Sequence, residues 1–226
     1  MCRRHSLFAP ARVLEERFDA TLAFDAYKPR YNMVPGDSQA VITNESPSSI
    51  TAADWGLRPA WMDASASGFA NARSETAAEK PSFRSAWKER PCLVLTSGFY
   101  EWQDRAGTEK QPYRIYRAHE SAFAMAGLWE PGVNGGESVP TVTILTTEPN
   151  ELLAPIHDRM PVILPRNKER QWLHLGPDER TSMCTPLTDS TLRADAISTR
   201  VNSPQNDDPG VIEPIDDPQR GLFEFS

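Results

Sequence analysis

The chain has 226 residues and a formal net charge of −7, enough length to bury a real core in one large domain or two small ones. No apolar run of about eighteen residues occurs, which argues against a membrane-spanning helix, and no apolar segment follows the basic start Met-Cys-Arg-Arg-His-Ser, so no secretory signal is expected. The three cysteines, Cys2, Cys92 and Cys184, are odd in number and widely spaced, and no Cys-x-x-Cys or His-x-x-x-His pair occurs; a disulfide framework and a structural zinc site are both unexpected, as is any other metal or cofactor, and a reducing, cytoplasmic setting fits.

In chain order, residues 11–18 (ARVLEERF) have apolar spacing suited to a short helix, and 28–37 (KPRYNMVPGD) read as a rigid, Pro-punctuated loop. Residues 39–44 and 49–57 read as two strands about a Glu-Ser-Pro-Ser turn, and 63–70 as a loop of small residues. Residues 74–89 look helical, with Ser74 as N-cap and a break at Pro81. A dense β region follows: 92–103, a turn over Asp104–Lys110, 112–117, 122–130, a Gly-Gly turn at 135–136, and 139–147. Residues 148–156, 166–175 and 187–196 carry helical patterns, and 160–165 is a short apolar run.

Strands and helices do not alternate regularly, so a doubly wound sheet is not expected. The reading is a single α+β domain, residues 1–214, with a curved, barrel-like, mostly antiparallel sheet flanked by short helices. Residues 203–219 are rich in Pro, Asp, Asn and Gln and are expected to run along the surface into a flexible tail over 215–226.

Several residues invite chemistry. Removal of Met1 leaves Cys2 with an α-amine and a thiol on one two-carbon unit. An amine with a reference pKa of about 7.7–8.0 is partly neutral near pH 7. A neutral amine attacks an aldehyde to give an imine, and the thiol then closes a five-membered thiazolidine, favoured by proximity. By position alone, Cys2 reads rather as an ordinary, disordered terminal residue. Glu101 lies among aromatics in Gly98-Phe-Tyr-Glu-Trp, where desolvation raises a carboxyl pKa toward the range useful for proton transfer; the plainer reading is a strand Glu facing water. His157 precedes an apolar run and reads either as a proton carrier or as a capped, structural histidine.

Six motifs occur in order: Met1-Cys2-x-Arg4, Arg30-Tyr31-Asn32-x-x-Pro35-Gly36, Trp55-Gly56-Leu57-x-Pro59-x-Trp61, Asn71-Ala72-Arg73-x-Glu75-Thr76, Gly98-Phe99-Tyr100-Glu101-Trp102 and Ile156-His157-Asp158-Arg159-Met160-Pro161. The set resembles the SRAP (SOS response-associated peptidase) family from Cys2 to about Pro214. The resemblance implies a single α+β domain with a barrel-like sheet and a positively charged DNA groove. It also implies a protein of the DNA damage response that binds single-stranded DNA and crosslinks to abasic sites through a thiazolidine. The family name reflects an older peptidase proposal that includes self-removal of the initiator Met. Carried over, Cys2 is the nucleophile, Asn71 orients it, Glu101 is the general acid/base, and His157 shuttles protons and contacts the phosphate beside the lesion. Arg73 clamps that phosphate, Arg4, Asn32, Pro35 and Arg159 line the DNA path, and Trp61 stacks on flanking bases. Two positions depart from the family pattern: Arg3 stands where Gly is common, and Met62 where a second Trp is common.

The acidic balance bears on this reading. Five of the 24 basic residues are lysine, a composition that suits a very salty cytoplasm and equally an ordinary acidic cytosolic protein. It argues against a nucleic-acid module that binds by net charge alone. At ~1 M salt the Debye length is about 3 Å and counterion release contributes little, so binding rests on close contacts, a local arginine groove or covalent chemistry. Two other readings use the same residues: a cysteine peptidase or amidohydrolase with Cys2 as nucleophile and His157 as base, and a non-covalent reader of damaged DNA. The expected location is the cytoplasm, at the nucleoid.

The chain ends Gln219-Arg-Gly-Leu222-Phe223-Glu-Phe225-Ser, which resembles a peptide that binds the PCNA sliding clamp. Gln219 would anchor by hydrogen bonds while Leu222, Phe223 and Phe225 fill an apolar pocket. The alternative is a terminal strand or plug packed on the domain.

Overall fold

The computed structural model describes residues 2–25, 27–63, 65–105, 109–132, 139–188 and 190–216. In chain order the strands and helices are β1 His5–Leu7, α1 Ala11–Phe18, β2 Thr21–Leu22, β3 Arg30–Met33, β4 Ser38–Thr43, β5 Ser49–Trp55, β6 Asn71–Arg73, α2 Ser74–Ala77, α3 Arg84–Glu89, β7 Pro91–Thr96, β8 Gly98–Gln103, β9 Gln111–Arg117, β10 Phe123–Glu130, β11 Thr141–Thr147, β12 Met160–Pro161, α4 Glu169–His174, α5 Pro177–Met183 and β13 Leu192–Ala196.

Two sheets form. The smaller has the order β13-β9-β8-β1-β3. In the larger, β11-β10-β7-β4-β5 run side by side, and a short parallel pairing of β5 with β11 (Thr141↔Asp54, Val142↔Trp55) closes the ring. β6 takes over the same edge of β11 further along, Ile144↔Asn71 to Thr146↔Arg73. The expected barrel-like α+β domain is therefore what forms, and closure removes the free edges on which sheets aggregate. The excursion between β5 and β6, residues 56–70, leaves at this seam.

The barrel strands read as near-continuous apolar runs because both faces are covered. On β7, Cys92 and Val94 face the smaller sheet, while Leu93 and Leu95 face the helices. The helical side holds Leu14 and Phe18 of α1, Trp87 of α3 and Trp172 of α4. The Trp172 indole N–H donates to the Cys92 carbonyl at 3.0 Å, so its one polar atom is satisfied where it is buried.

Several elements differ from the sequence reading, each for a local reason. Residues 92–103 are two strands: at Ser97–Gly98 the chain leaves the barrel for the smaller sheet. Gly98 sits at φ +153°, and a Cβ there would stand 2.9 Å from the Ile115 carbonyl oxygen, so only glycine fits the corner. The loop expected over 28–37 contains strand β3, bracketed by Pro29 and Pro35 at a sheet edge, where prolines are tolerated. Asp207 accepts its outward amides, Tyr31 at 2.5 Å and Asn32 at 2.9 Å. Residues 187–196 supply strand β13 rather than a helix; Leu192 and Ala196 both face the core, and a spacing of four satisfies either period. Residues 148–156 form no helix: 148–150 are irregular and 151–156 are turns, with Pro149 and Pro155 in the segment. The break expected at Pro81 within 74–89 does separate α2 from α3, but Arg73 rather than Ser74 occupies the cap position of α2. The Gly-Gly turn at 135–136 and the clamp-like motif, Gln219, Leu222, Phe223 and Phe225, lie outside the described residues.

Candidate active site

The site gathers where the start of the chain enters between the two sheets. β1 pairs with β8 in the register His5↔Phe99 and Ser6↔Gly98, and the Tyr100 amide donates to the Arg4 carbonyl at 2.9 Å. This pairing leads the residues before β1 along the half of β8 that carries Glu101. Cys2 is fully buried and belongs to the apolar cluster between the sheets, to which the barrel contributes Val41, Ala53 and Trp55 and the smaller sheet Phe99, Tyr113 and Ile115. Its thiol lies 3.8 Å from the Arg4 carbonyl. Burial, and next the charge of Glu101, push the thiol well above its ordinary pKa, so the resting group is S–H rather than thiolate.

Asn71 opens β6 and donates its side-chain amide to the Cys2 carbonyl at 2.7 Å. β6 is held by parallel pairing to β11, so the barrel wall itself carries Asn71 to the chain start. The Asn71 Oδ1 atom is buried with no partner among the described residues, leaving an acceptor turned into the site.

Glu101 is 2% exposed, and burial pushes its carboxyl up to about 8. His157 Nε2 stands 3.6 Å from Glu101 Oε2, and burial lowers the imidazole pKa. Both shifts favour the uncharged forms, so near neutral pH the pair is a carboxylic acid facing a neutral imidazole, poised to exchange protons with a bound reactant. His157 reaches this position on the turns of 151–156, and Gln103 at the end of β8 secures them by donating to the Pro155 carbonyl at 3.1 Å.

The four expected catalytic residues, Cys2, Asn71, Glu101 and His157, thus converge. The expected DNA contacts divide. Arg73, at the end of β6, is exposed, with its guanidinium unbonded among the described residues. Trp61 is 65% exposed on the seam excursion, whose base is pinched where Gly56 (φ +144°) and Gly68 (φ +68°) bring their backbones together. Pro35 is half-buried in the turn after β3.

Asn32 corrects the expectation. It is fully buried, and its amide donates to the carbonyls of Val201, Ser203 and Asn206 at 3.2, 3.0 and 2.7 Å. It fastens the segment after β13 and has no surface with which to touch DNA. Arg4 is half-committed in the same way, donating to Asn32 Oδ1 at 2.8 Å and to the Val201 carbonyl at 2.6 Å. Arg159 is engaged by Glu75, at 2.7 and 2.8 Å from its two terminal nitrogens. Glu75 and Gln103 were not singled out from sequence. Glu75 lies within the Asn-Ala-Arg-x-Glu-Thr motif, but nothing in that string shows that its partner is 84 residues away.

No cluster of three or more His, Cys, Asp or Glu suited to a metal ion occurs among the described residues, and no helix among them is long and apolar enough to cross a membrane.

The sequence matches the family model described as SOS response associated peptidase (SRAP) over residues 1–204. It is similar to the abasic site processing protein YoqW of Bacillus subtilis, with 38% identity over 222 residues, covering 94% of this chain and 99% of that protein. It is also similar to the abasic site processing protein HMCES of Xenopus tropicalis, with 34% identity over 230 residues, covering 84% of this chain and 68% of that protein. Among solved structures, a Bacteroides thetaiotaomicron protein superposes with a TM-score of 0.84 at 28% identity, covering 95% of this chain and all of that one.

Proposed function

This chain belongs to the SRAP family, the SOS response associated peptidases, and on that premise we propose that it processes abasic sites in single-stranded DNA by bonding to them covalently through Cys2. The observation that carries the proposal is one constellation: Cys2 held at its carbonyl by Asn71, with a buried Glu101 facing His157.

The chemistry needs Met1 removed, so that Cys2 has a free amine. Glu101 donates a proton to the sugar ring oxygen and regains one from the anomeric hydroxyl as the ring C–O bond breaks and the abasic deoxyribose opens to its aldehyde. The Cys2 amine adds to that carbonyl carbon, one N–H proton passing to the oxygen; the resulting hydroxyl leaves as water with a proton from Glu101, and the second N–H proton returns to Glu101, giving an imine. The S–H then adds across the C=N bond: sulfur bonds to carbon and the proton ends on nitrogen. One water is lost overall, and His157 relays protons to and from Glu101. Burial keeps the resting group as S–H, so in either reaction the thiol proton must pass to a neighbouring base as sulfur attacks; crosslinking differs from the peptidase reading in needing the Cys2 amine as a nucleophile.

An abasic site offers no base to read, so recognition falls on the aldehyde and backbone. In this reading Arg73, which is exposed, pairs with a phosphate, and the exposed Trp61 stacks on a neighbouring base, a contact every base accepts. Residues 1–214 form the catalytic domain in this reading. The motif Gln219 to Phe225 recruits the PCNA sliding clamp, and removal of residues 219–226 is expected to abolish clamp binding while leaving crosslinking intact.

The deciding experiment is intact mass, with a denaturing gel, before and after exposure to an abasic oligonucleotide. The expected product is the Met1-less chain plus DNA minus one water, absent with Cys2→Ala. A complex that dissociates on the denaturing gel supports a non-covalent reader instead. A stable adduct with Cys2→Ala overturns the thiazolidine.

A further inference from the structure

Arg159 holds the site at two points. Its backbone amide donates to Nδ1 of His157 at 3.0 Å. A ring nitrogen that accepts an N–H carries no proton, so the neutral ring bears its hydrogen on Nε2, the atom that faces Glu101. A competitor stands beside the same nitrogen. Asp158 Oδ1 lies 2.9 Å from Nδ1, and a carboxylate there favours the opposite tautomer, with hydrogen on Nδ1 donated to Asp158 and a bare Nε2 toward Glu101. Which tautomer prevails depends on how firmly the Arg159 backbone is held.

The guanidinium of Arg159 does the holding. Its two terminal nitrogens donate to the two oxygens of Glu75 at 2.7 and 2.8 Å, and one also donates to the Thr146 carbonyl at 2.7 Å. A bidentate carboxylate fixes the plane as well as the position of a guanidinium. Glu75 lies in the first turn of α2, directly after the strand that supplies Asn71. The clamp therefore ties the element that holds Cys2 to the loop that presents His157.

We infer that Glu75 is a positioning residue which, through Arg159, keeps His157 in the tautomer that offers an Nε2 hydrogen to Glu101. Its kinetic consequence rests on the crosslinking function proposed above; its structural consequence does not.

The test is ¹⁵N NMR of the histidine ring nitrogens in the full chain, together with single-turnover crosslinking at saturating abasic single-stranded DNA. The wild type is expected to show one His157 tautomer, with hydrogen on Nε2. Glu75→Ala is expected to mix in the other tautomer and slow crosslinking by about 10-fold, within what a positioned acid/base group contributes, with half-saturating DNA changed by less than about 2-fold. Adding Asp158→Asn to Glu75→Ala removes the competitor and is expected to restore both tautomer and rate; loss of packing alone is not rescued this way. An unchanged tautomer in Glu75→Ala, failure of the rescue, or an effect confined to half-saturating DNA overturns the inference. Absence of any crosslink with wild type sinks the function proposed above, while the NMR result still decides the role of Glu75.

Discussion

The Asn71 side-chain amide donates to the Cys2 carbonyl at 2.7 Å across 69 residues of chain. That bond joins the wall of the closed barrel to the strand that enters between the sheets, and it is the most direct tie on the candidate nucleophile. Replacing Asn71 with Ala leaves a buried carbonyl without its donor, at a cost of about 1–3 kcal/mol. The crosslinking rate is expected to fall by at least about 10-fold, since misplacement of a reacting group is costly in rate. Thermal melts and single-turnover gels measure the two effects separately, and a variant that crosslinks at the wild-type rate removes Asn71 from the site.

Glu101 makes stability depend on pH in a definite direction. Its carboxyl is held up to about 8 in the folded chain, against about 4.3 for an unperturbed Glu. Between those values the unfolded chain has released a proton that the native chain retains, so stability falls as pH rises through this window. Glu101→Gln lacks this term. Relative to wild type, the variant is expected to gain on the order of 5 kcal/mol between pH 4 and pH 9, while crosslinking slows. Urea midpoints of the two proteins across that range check it; a pH-independent difference places the carboxyl in water.

His5 acts in the opposite sense. Its ring is fully buried, edge-on to Trp55 at a centroid distance of 5.0 Å, and burial depresses its pKa to about 4. Below about pH 6.5 an unfolded histidine takes up a proton that the native ring refuses, so stability is lost as pH falls from there toward 4. The loss attributable to this one ring is up to about 3 kcal/mol. His5→Gln is expected to flatten the acid limb of the stability profile, as followed by circular dichroism.

Trp61 is exposed on the seam excursion and contributes little to the core. Trp61→Ala is expected to change stability by less than about 0.5 kcal/mol. The same change is expected to weaken binding to single-stranded DNA by the ~1–3 kcal/mol of one base–aromatic stack. Fluorescence anisotropy with an abasic oligonucleotide measures it, and unaltered affinity rules out stacking.

Gly98 is the corner between the barrel and the smaller sheet. Gly98→Ala forces a Cβ to within 2.9 Å of the Ile115 carbonyl oxygen at φ +153°, and a loss of at least about 1–2 kcal/mol is expected from conformation alone. Because β8 carries Glu101, the variant is also expected to crosslink more slowly. Thermal melts and crosslinking gels report the two losses.

Local pattern reached a long way in this chain. The alternation of Cys92, Leu93, Val94 and Leu95 marks a strand buried on both faces, and the six ordered motifs single out Cys2, Asn71, Glu101 and His157, which converge in the fold. Local pattern failed where one spacing serves two structures. Leu192 and Ala196 share a face in a helix and in a strand alike, and only the free edge of β9 decides for the strand. It failed again at Asn32, whose motif position resembles that of a ligand-facing residue while its amide is consumed by carbonyls some 170 positions away.

The chemistry available to Cys2 is a property of the sequence: once Met1 is removed, an amine and a thiol on one residue suffice for thiazolidine formation with any aldehyde. Whether that chemistry is directed depends on tertiary structure. Burial raises Glu101 and lowers His157 so that both stand uncharged. Desolvation depends on what packs around a group rather than on its neighbours in the chain. The pairing of Glu75 with Arg159, whose backbone amide bonds the His157 ring, exists only because the barrel closes through β11 and brings those two segments side by side.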